Sequence, residues 1–83
     1  MYRVIHDESA VDQIAALPAE LLPAYAEALA VLELTPTTAG RPYNDAKPDG
    51  PMRELVFGNG AGTITYLNLD RYREVHVLIV QWL

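Results

Sequence analysis

The stretch from Met52 to Trp82, MRELVFGNGAGTITYLNLDRYREVHVLIVQW, decides the fold of this chain. It reads as three strands joined by short turns, at Met52 to Phe57, Thr63 to Leu69 and Arg73 to Trp82. Between the first two, Gly58-Asn59-Gly60 supplies the backbone conformations of a tight hairpin turn. The last strand is apolar on both faces, which predicts a central position with a neighbour on each side. The sequence therefore predicts an antiparallel meander.

The residues before this meander predict one more strand and two helices. Tyr2 to His6 (YRVIH) is rich in β-forming residues and alternates as a strand does. From Asp7 to Leu17 apolar residues recur at helical spacing, and Asp7 or Ser9 can cap the first turn. A second helix ends at Leu34 and begins near Ala19 or Leu22, because Pro18 and Pro23 both compete to mark its first turn. The expected buried faces consist of Ala10, Val11, Ile14 and Leu17, and of Leu22, Tyr25, Ala26, Leu29, Val31 and Leu32.

The segment from Thr37 to Pro51, TTAGRPYNDAKPDGP, predicts a loop, because glycine, proline and turn-forming Asn and Asp dominate it. A loop of this length is long for so small a domain, and long ordered loops are often binding or active-site segments. The alternative is a plain crossover from the helices to the sheet. The sequence does not decide between the two.

Composition limits the classes of function. The chain has 83 residues, a net charge of −5 and no cysteine. We expect a single domain over 1–83 with neither a disulfide nor a thiolate metal site, and the two histidines lack the spacing of a metal site. No segment is apolar enough for a signal peptide or a membrane helix, so we expect a soluble, cytoplasmic protein that binds no membrane and uses no cofactor.

The charge is distributed unevenly. Up to Leu34 the only cation is Arg3, set against six carboxylates, whereas the remainder carries five cations against five carboxylates. A surface that contacts RNA would therefore lie on the sheet half, since only there could cations outweigh the local acids.

The order strand, helix, helix, long loop and three-strand meander resembles the RelE/ParE superfamily, the toxins of type II toxin–antitoxin systems. The resemblance covers nearly the whole chain. It is carried by YRVI at the first strand, AEALAVLE from Ala26 to Glu33, GRPY from Gly40 to Tyr43, MREL from Met52 to Leu55, ITY from Ile64 to Tyr66 and VHVLIV from Val75 to Val80. It implies an α+β fold of order β-α-α-β-β-β, in which two N-terminal helices pack on a small, mainly antiparallel sheet.

The resemblance also implies a function. Toxins of this family cleave mRNA in the ribosomal A site, and each is neutralised by a small antitoxin wrapped around it. The expected activity is that of an mRNA interferase, an endoribonuclease that inhibits translation, with a cognate antitoxin, the ribosome and mRNA as partners. The alternative is a catalytically degenerate or ParE-type member that acts by binding gyrase or another protein. A homodimer or a hetero-oligomer with the antitoxin is possible under either interpretation.

Only part of the family's catalytic set carries over to this sequence. Arg53 on the second strand matches a family cation, and it is the candidate catalytic residue; the alternative is a surface cation paired with Glu54 or with a loop acid. At the start of the third strand many members have an aromatic residue followed by Arg, where this chain has Gly62-Thr63. After the last strand members have a basic residue or His with a Tyr beyond it, where this chain reads Gln81-Trp82-Leu83.

Other side chains are weaker candidates. Arg41, Lys47 and Tyr43 of the loop are candidate substrate-binding residues, although the neighbouring Asp45 and Asp49 favour solvated loop positions for Arg41 and Lys47. His6 and His76 could transfer protons near neutral pH, but their positions favour hydrogen-bonded sheet residues. Trp82 could lie in the core or fill an interface with an antitoxin or a second copy.

Overall fold

The computed structural model describes all 83 residues and has one five-stranded sheet with helices packed on it. Its elements in chain order are β1 (Arg3–His6), α1 (Glu8–Ala15), a 3-10 turn (Ala19–Leu21), α2 (Leu22–Leu34), α3 (Pro36–Ala39), β2 (Arg41–Pro42), β3 (Met52–Phe57), β4 (Gly62–Leu69), a second 3-10 turn (Asp70–Tyr72) and β5 (Glu74–Trp82). None of the helices is by itself both long and apolar enough to cross a membrane.

The strand order in the sheet is β1-β5-β4-β3-β2. β5 pairs with β1 in parallel and with β4 in antiparallel orientation, so the prediction that the last strand is central is confirmed. The predicted α+β order is confirmed as well. The hairpin turn between β3 and β4 is also as predicted, with Gly58, Asn59 and Gly60 all at positive φ.

The hydrophobic core lies between the helices and one face of the sheet. The sheet contributes Phe57, Ile64, Tyr66, Val75, Val77 and Val80, and the helical layer contributes Ala10, Leu17, Tyr25, Ala28 and Leu32. Ile64, Tyr66, Val75, Val77 and Leu32 are all without solvent exposure. Tyr66 is the largest of these fully buried side chains.

The predicted buried face of the helices is partly wrong. Val11, Leu22 and Val31 are 53%, 45% and 40% exposed, and Ala26 is exposed as well. The second helix, LPAYAEALAVLEL, is apolar around most of its circumference, so periodicity alone cannot select which side is buried. The buried residues of this helix are Tyr25, Ala28 and Leu32, and Ala24 and Leu29 pack partly buried beside them.

The segment Thr37–Pro51 is not a continuous loop, contrary to prediction. Thr35 leaves the helical conformation and ends α2, but Pro36 then opens the short helix α3. A proline is well suited to the first helical position, where its missing amide proton is not needed. Arg41 and Pro42 then pair with Glu54 and Arg53 as the edge strand β2.

Two predicted boundaries also change. Pro18 and Pro23 each belong to a separate turn: the 3-10 turn follows Pro18, and α2 begins at Leu22 with Pro23 in its first turn. The last strand begins at Glu74 and not at Arg73, because Arg73 adopts a left-handed conformation with φ of 54°.

Helix α1 is held beside β5 by two polar side chains. The Gln13 Oε1 accepts a hydrogen bond of 2.6 Å from the Val80 amide, and the Ser9 hydroxyl donates one of 3.2 Å to the Leu78 carbonyl. β1 pairs with β5 only as far as Val77, so these contacts satisfy backbone groups that the short strand leaves open.

Candidate functional site

Arg53 lies on the face of the sheet that carries the helices. It pairs with the buried Tyr66 of β4, and its Nη2 donates a hydrogen bond of 2.7 Å to the Gly40 carbonyl. The Tyr66 hydroxyl in turn donates one of 2.7 Å to the Pro36 carbonyl. Burial raises the pKa of Tyr66, and the neighbouring Arg53 guanidinium acts in the opposite direction. Arg53 therefore joins β3 to the segment that follows α3, and it does not pair with Glu54.

A polar depression of about 430 Å³ adjoins Arg53. Its other lining residues are Thr37, Pro48, Asp49, Gly50, Pro51, Asn68 and Asp70. The Arg53 Nε and the Asn68 Oδ1 are buried there without a hydrogen-bond partner. One is a donor and the other an acceptor, and neither is satisfied within the chain. Asp49 and Asp70 offset the charge of Arg53, which weakens its attraction for a phosphate.

The three loop candidates do not converge on Arg53. Arg41 is exposed, and its Nε donates a hydrogen bond of 2.7 Å to Glu54 Oε1 across the edge of the sheet. Tyr43 and Lys47 line a separate depression of about 580 Å³, which shares Gly50 and Pro51 with the depression at Arg53. The depression that contains Tyr43 and Lys47 is therefore linked to the one at Arg53 only by the loop residues that both share. Arg41 instead pairs with Glu54.

The opposite end of β4 and β5 forms a depression of about 360 Å³ that is lined by no charged side chain. Gly62 pairs with Trp82 and Thr63 pairs with Gln81, so residues nearly twenty positions apart lie side by side. Trp82 is half-buried and packs against the core. Arg53 pairs with Tyr66, four residues along β4 from Gly62, which separates it from this end by about 13 Å.

Sequence reasoning missed a polar cluster at the β4–β5 turn. The Tyr2 hydroxyl donates a hydrogen bond to Asp70 Oδ1, and the Arg73 guanidinium lies 4.3 Å from the centre of the Tyr2 ring. The hydrogen bond to Asp70 is the main reason that the pKa of Tyr2 is raised. Asn68 donates to the Thr37 hydroxyl at 2.8 Å. These partners are distant in sequence, so no local motif could have indicated them.

The two histidines are hydrogen-bonded sheet residues, as expected. His76 Nε2 lies 3.0 Å from Glu74 Oε1, and Arg3 also pairs with Glu74. Hydrogen bonds from His76 and Arg3 lower the pKa of Glu74. His6 Nε2 lies 3.1 Å from the Tyr25 hydroxyl. Nowhere do three or more His, Asp or Glu side chains converge as they would to hold a metal ion.

The burial of His6 predicts a pH dependence of stability. Burial lowers the pKa of His6 below its ordinary value of 6.5. The unfolded chain then binds more protons than the folded chain once the pH falls below about 6.5. We therefore expect the free energy of unfolding to decrease from pH 7 to pH 5. Urea unfolding at both pH values measures this change.

The variant His6→Gln keeps a hydrogen-bonding side chain beside Tyr25 but does not titrate in this range. Its free energy of unfolding should change less than that of the wild type between pH 7 and pH 5. The carboxylate Glu74 is common to both proteins, and its contribution is lost as the pH falls from its ordinary pKa of 4.5 through its lowered pKa, which is below the range compared here. Equal slopes for the two proteins would contradict the role of His6.

Comparison with solved structures identifies the fold. A chain of the RelBE2 toxin–antitoxin complex from Mycobacterium tuberculosis superposes with a TM-score of 0.82 and 23% identity, over 99% of this chain and 98% of that one. The isolated E. coli RelE toxin superposes with a TM-score of 0.78 and 18% identity, over 99% of this chain and 84% of that one. A chain of the intact E. coli RelBE complex superposes with a TM-score of 0.79 and 16% identity, over 100% of this chain and 98% of that one. No family model matches the sequence, and neither does any curated protein.

Proposed function

We propose that this chain, which has the fold of the RelE toxins, is the toxin of a toxin–antitoxin pair. The observation that carries the proposal is the likeness along the whole chain to proteins solved as toxin–antitoxin complexes and as an isolated toxin. The fold alone does not determine the chemistry, since one fold hosts many functions. The site must therefore decide how the toxin acts, and the partner that restrains it is a cognate antitoxin in the same cytoplasm.

Binding to a protein target is the mode of action that the site supports best. At the start of β4, where the resemblance implies an aromatic residue followed by Arg, this chain has Gly62 and Thr63, which line a depression without a charged side chain. Cleavage of RNA requires cations for the phosphate and groups that transfer protons. Arg53 is about 13 Å away on the helix-bearing face and cannot supply the missing charge there. Gyrase is the target implied by the ParE branch.

Ribosome-dependent cleavage of mRNA at Arg53 is the second candidate. It is favoured by the buried Arg53 Nε and Asn68 Oδ1, which lack partners beside an open polar depression. Such atoms are costly unless water or a ligand satisfies them. Tyr43 and Lys47 would then contact the substrate from the neighbouring depression. Asp49 or Asp70 would be the nearest proton acceptor, since neither histidine lines the site.

Expression of the chain in bacteria tests the proposal and separates its two forms. We expect growth arrest that the antitoxin relieves, intact ribosome-bound mRNA, and the same arrest from the variant Arg53→Gln. Inhibition of DNA supercoiling by the purified protein would identify gyrase as the target. Arg71→Gln is the matched control, because it removes an exposed cation that forms no ion pair and lines neither depression.

The growth and mRNA assays give a different result for RNA cleavage, for protein binding and for a chain that is not a toxin. Cleaved ribosome-bound mRNA that disappears in Arg53→Gln but persists in Arg71→Gln would replace protein binding with RNA cleavage. Normal growth of cells that contain soluble, folded wild-type protein would refute the toxin proposal in both forms. Circular dichroism of each purified variant shows whether a loss of toxicity reflects a loss of folding.

A further inference from the structure

The turn between β3 and β4 carries the one Asn-Gly pair of the chain. Asn59 is followed by Gly60, whereas Asn44 and Asn68 are each followed by a residue with a larger side chain. Asn59 and Gly60 are both exposed, and neither belongs to the core or lines the depression at Arg53. The pair is therefore open to solvent and has no role in packing.

The backbone of this turn leaves the Gly60 nitrogen free. Gly58, Asn59 and Gly60 have φ of 63°, 57° and 93°, and a hydrogen bond of 3.1 Å from the Ala61 amide to the Gly58 carbonyl closes the turn. The Gly60 amide itself donates to no backbone carbonyl. A Cβ added at Gly60 would meet nothing within 4 Å, so the space beside this residue is open.

The side chain of Asn59 is also free, unlike those of the other two asparagines. The Asn44 Oδ1 accepts a hydrogen bond of 3.0 Å from the Ala46 amide, and the Asn68 Nδ2 donates one of 2.8 Å to the Thr37 hydroxyl. The Asn59 side-chain amide has no such partner, so it can turn toward the backbone nitrogen that follows it.

We propose that Asn59 is a site of spontaneous covalent modification, at which the Gly60 backbone nitrogen attacks the Cγ of Asn59. The lone pair of that nitrogen forms the new N–Cγ bond and closes a succinimide ring, its proton is lost, and the side-chain nitrogen leaves as ammonia. Glycine favours the attack because it has no Cβ to hinder the approach and its backbone is conformationally permissive. This chemistry is independent of the proposed function.

Water then opens the succinimide ring and gives two products. If the bond from the nitrogen to Cγ breaks, the product is aspartate with an ordinary backbone. If the bond from the nitrogen to the main-chain carbonyl carbon breaks, the product is isoaspartate, in which the backbone runs through Cβ and Cγ. In both cases water supplies the hydroxyl group of the new carboxyl and the proton returned to the Gly60 nitrogen.

The pair Asp49-Gly50 can form the same ring with loss of water, but its geometry is less suitable. The Gly50 amide donates a hydrogen bond of 3.0 Å to the Lys47 carbonyl. A Cβ added at Gly50 would lie 3.2 Å from the same carbonyl oxygen, so this nitrogen is both engaged and crowded. We therefore expect the reaction at Asn59 and not at Asp49.

The two products affect the β3–β4 hairpin differently. Aspartate keeps the length of the backbone, and Asp tolerates the left-handed conformation much as Asn does. Isoaspartate lengthens the backbone within the turn by one carbon. Phe57, a core residue, pairs with Gly62 directly beside this turn, so the longer turn disturbs the pairing that holds Phe57 in place. The isoaspartyl chain should therefore unfold at a lower urea concentration than the unmodified chain.

The test incubates the purified full chain at pH 8 and 37 °C and follows it by tandem mass spectrometry of its tryptic fragments. We expect a gain of one mass unit at Asn59 before any gain at Asn44 or Asn68. Protein isoaspartyl methyltransferase, which transfers a methyl group from S-adenosylmethionine to the isoaspartyl carboxyl group, is the second probe. It should label the incubated chain and not the fresh chain.

The variant Asn59→Gln should remove both signals, because the additional methylene enlarges the ring that must form. Asn44→Gln is the matched control and should react as wild type does. A synthetic peptide of residues 57–62, FGNGAG, gives the rate without the folded turn. We expect the folded chain to react at a rate comparable to that of the peptide. Thermal unfolding of each variant before incubation shows that its fold is intact.

Three results would overturn the inference. A folded chain that stays unmodified while the peptide reacts would show that the turn protects Asn59. An equal gain of mass at Asn44 or Asn68 would show that the free side chain and the free nitrogen do not select the site. An isoaspartyl chain, separated chromatographically, that resists urea as well as Asn59→Asp does would show that the hairpin tolerates the longer backbone.

Discussion

Replacement of Tyr66 by alanine should lower the free energy of unfolding by about 3–5 kcal/mol, the usual cost of removing a buried aromatic side chain. Tyr66 has no solvent exposure and lies at the centre of the sheet, between β3 and β5. A chain of this size has a total stability of about 4–12 kcal/mol. The variant should therefore be largely unfolded, or unfold far more readily, in urea at 25 °C.

The variant Tyr66→Phe separates the ring from its hydroxyl. The ring remains, but the Pro36 carbonyl loses its donor at 2.7 Å and Arg53 loses a neighbouring oxygen. A buried polar group without a partner costs about 1–3 kcal/mol. We expect Tyr66→Phe to lose that amount and Tyr66→Ala to lose clearly more. If the two variants were equally stable, the hydroxyl and not the packing of the ring would hold this region together.

Replacement of Gly40 by alanine should destabilise the edge of the sheet by about 1–3 kcal/mol, the usual cost of overpacking. An added Cβ would overlap the Glu54 carbonyl oxygen and lie 2.7 Å from the Tyr66 hydroxyl oxygen. Backbone atoms cannot rotate away as a flexible side chain can. The pairing of β2 with β3 must therefore shift, and with it the Gly40 carbonyl that accepts from Arg53.

Gly50→Ala is the matched control for this prediction. Gly50 lies in the same segment, but an added Cβ meets only Lys47 atoms, the nearest at 3.2 Å on an exposed turn. Its free energy of unfolding should stay within about 0.5 kcal/mol of wild type. Urea unfolding of the two variants gives the comparison directly, and equal stability would show that the close approach at Gly40 is relieved without cost.

The strands of the meander and their order could be predicted from the sequence, because the residue pattern of each strand and turn favours the same position that it takes in the sheet. Alternation from Thr63 to Leu69, the glycines around Asn59 and the apolar β5 all point to one meander. The segment from Thr37 to Pro51 was mispredicted because its two short elements depend on distant partners. β2 exists only because β3 lies beside it, and Pro36 both follows one helix and begins another.

The candidate site divides in the same way. Arg53 could be singled out in the sequence because it is a cation on a strand, but its orientation toward Gly40 and its depression could not. Folding brings three further residues to the depression at Arg53, namely Thr37, Asn68 and Asp70. They are too far from Arg53 in the sequence for a local motif to indicate that they share a site. That Arg53, Arg41, Lys47 and Tyr43 act on a substrate stays a prediction, and the variant Arg53→Gln tests it at Arg53.

The sequence by itself determined the meander from Met52 to Trp82 and the acidic character of the helical layer, because strand period, turn chemistry and charge are local properties. Only the tertiary structure decided which side of α2 is buried, since that helix is apolar nearly all round. It also decided that Arg53 faces the helices and that Gly62 meets Trp82 at the other end of the sheet. Those facts depend on strand register, which arises only when all the strands pack together.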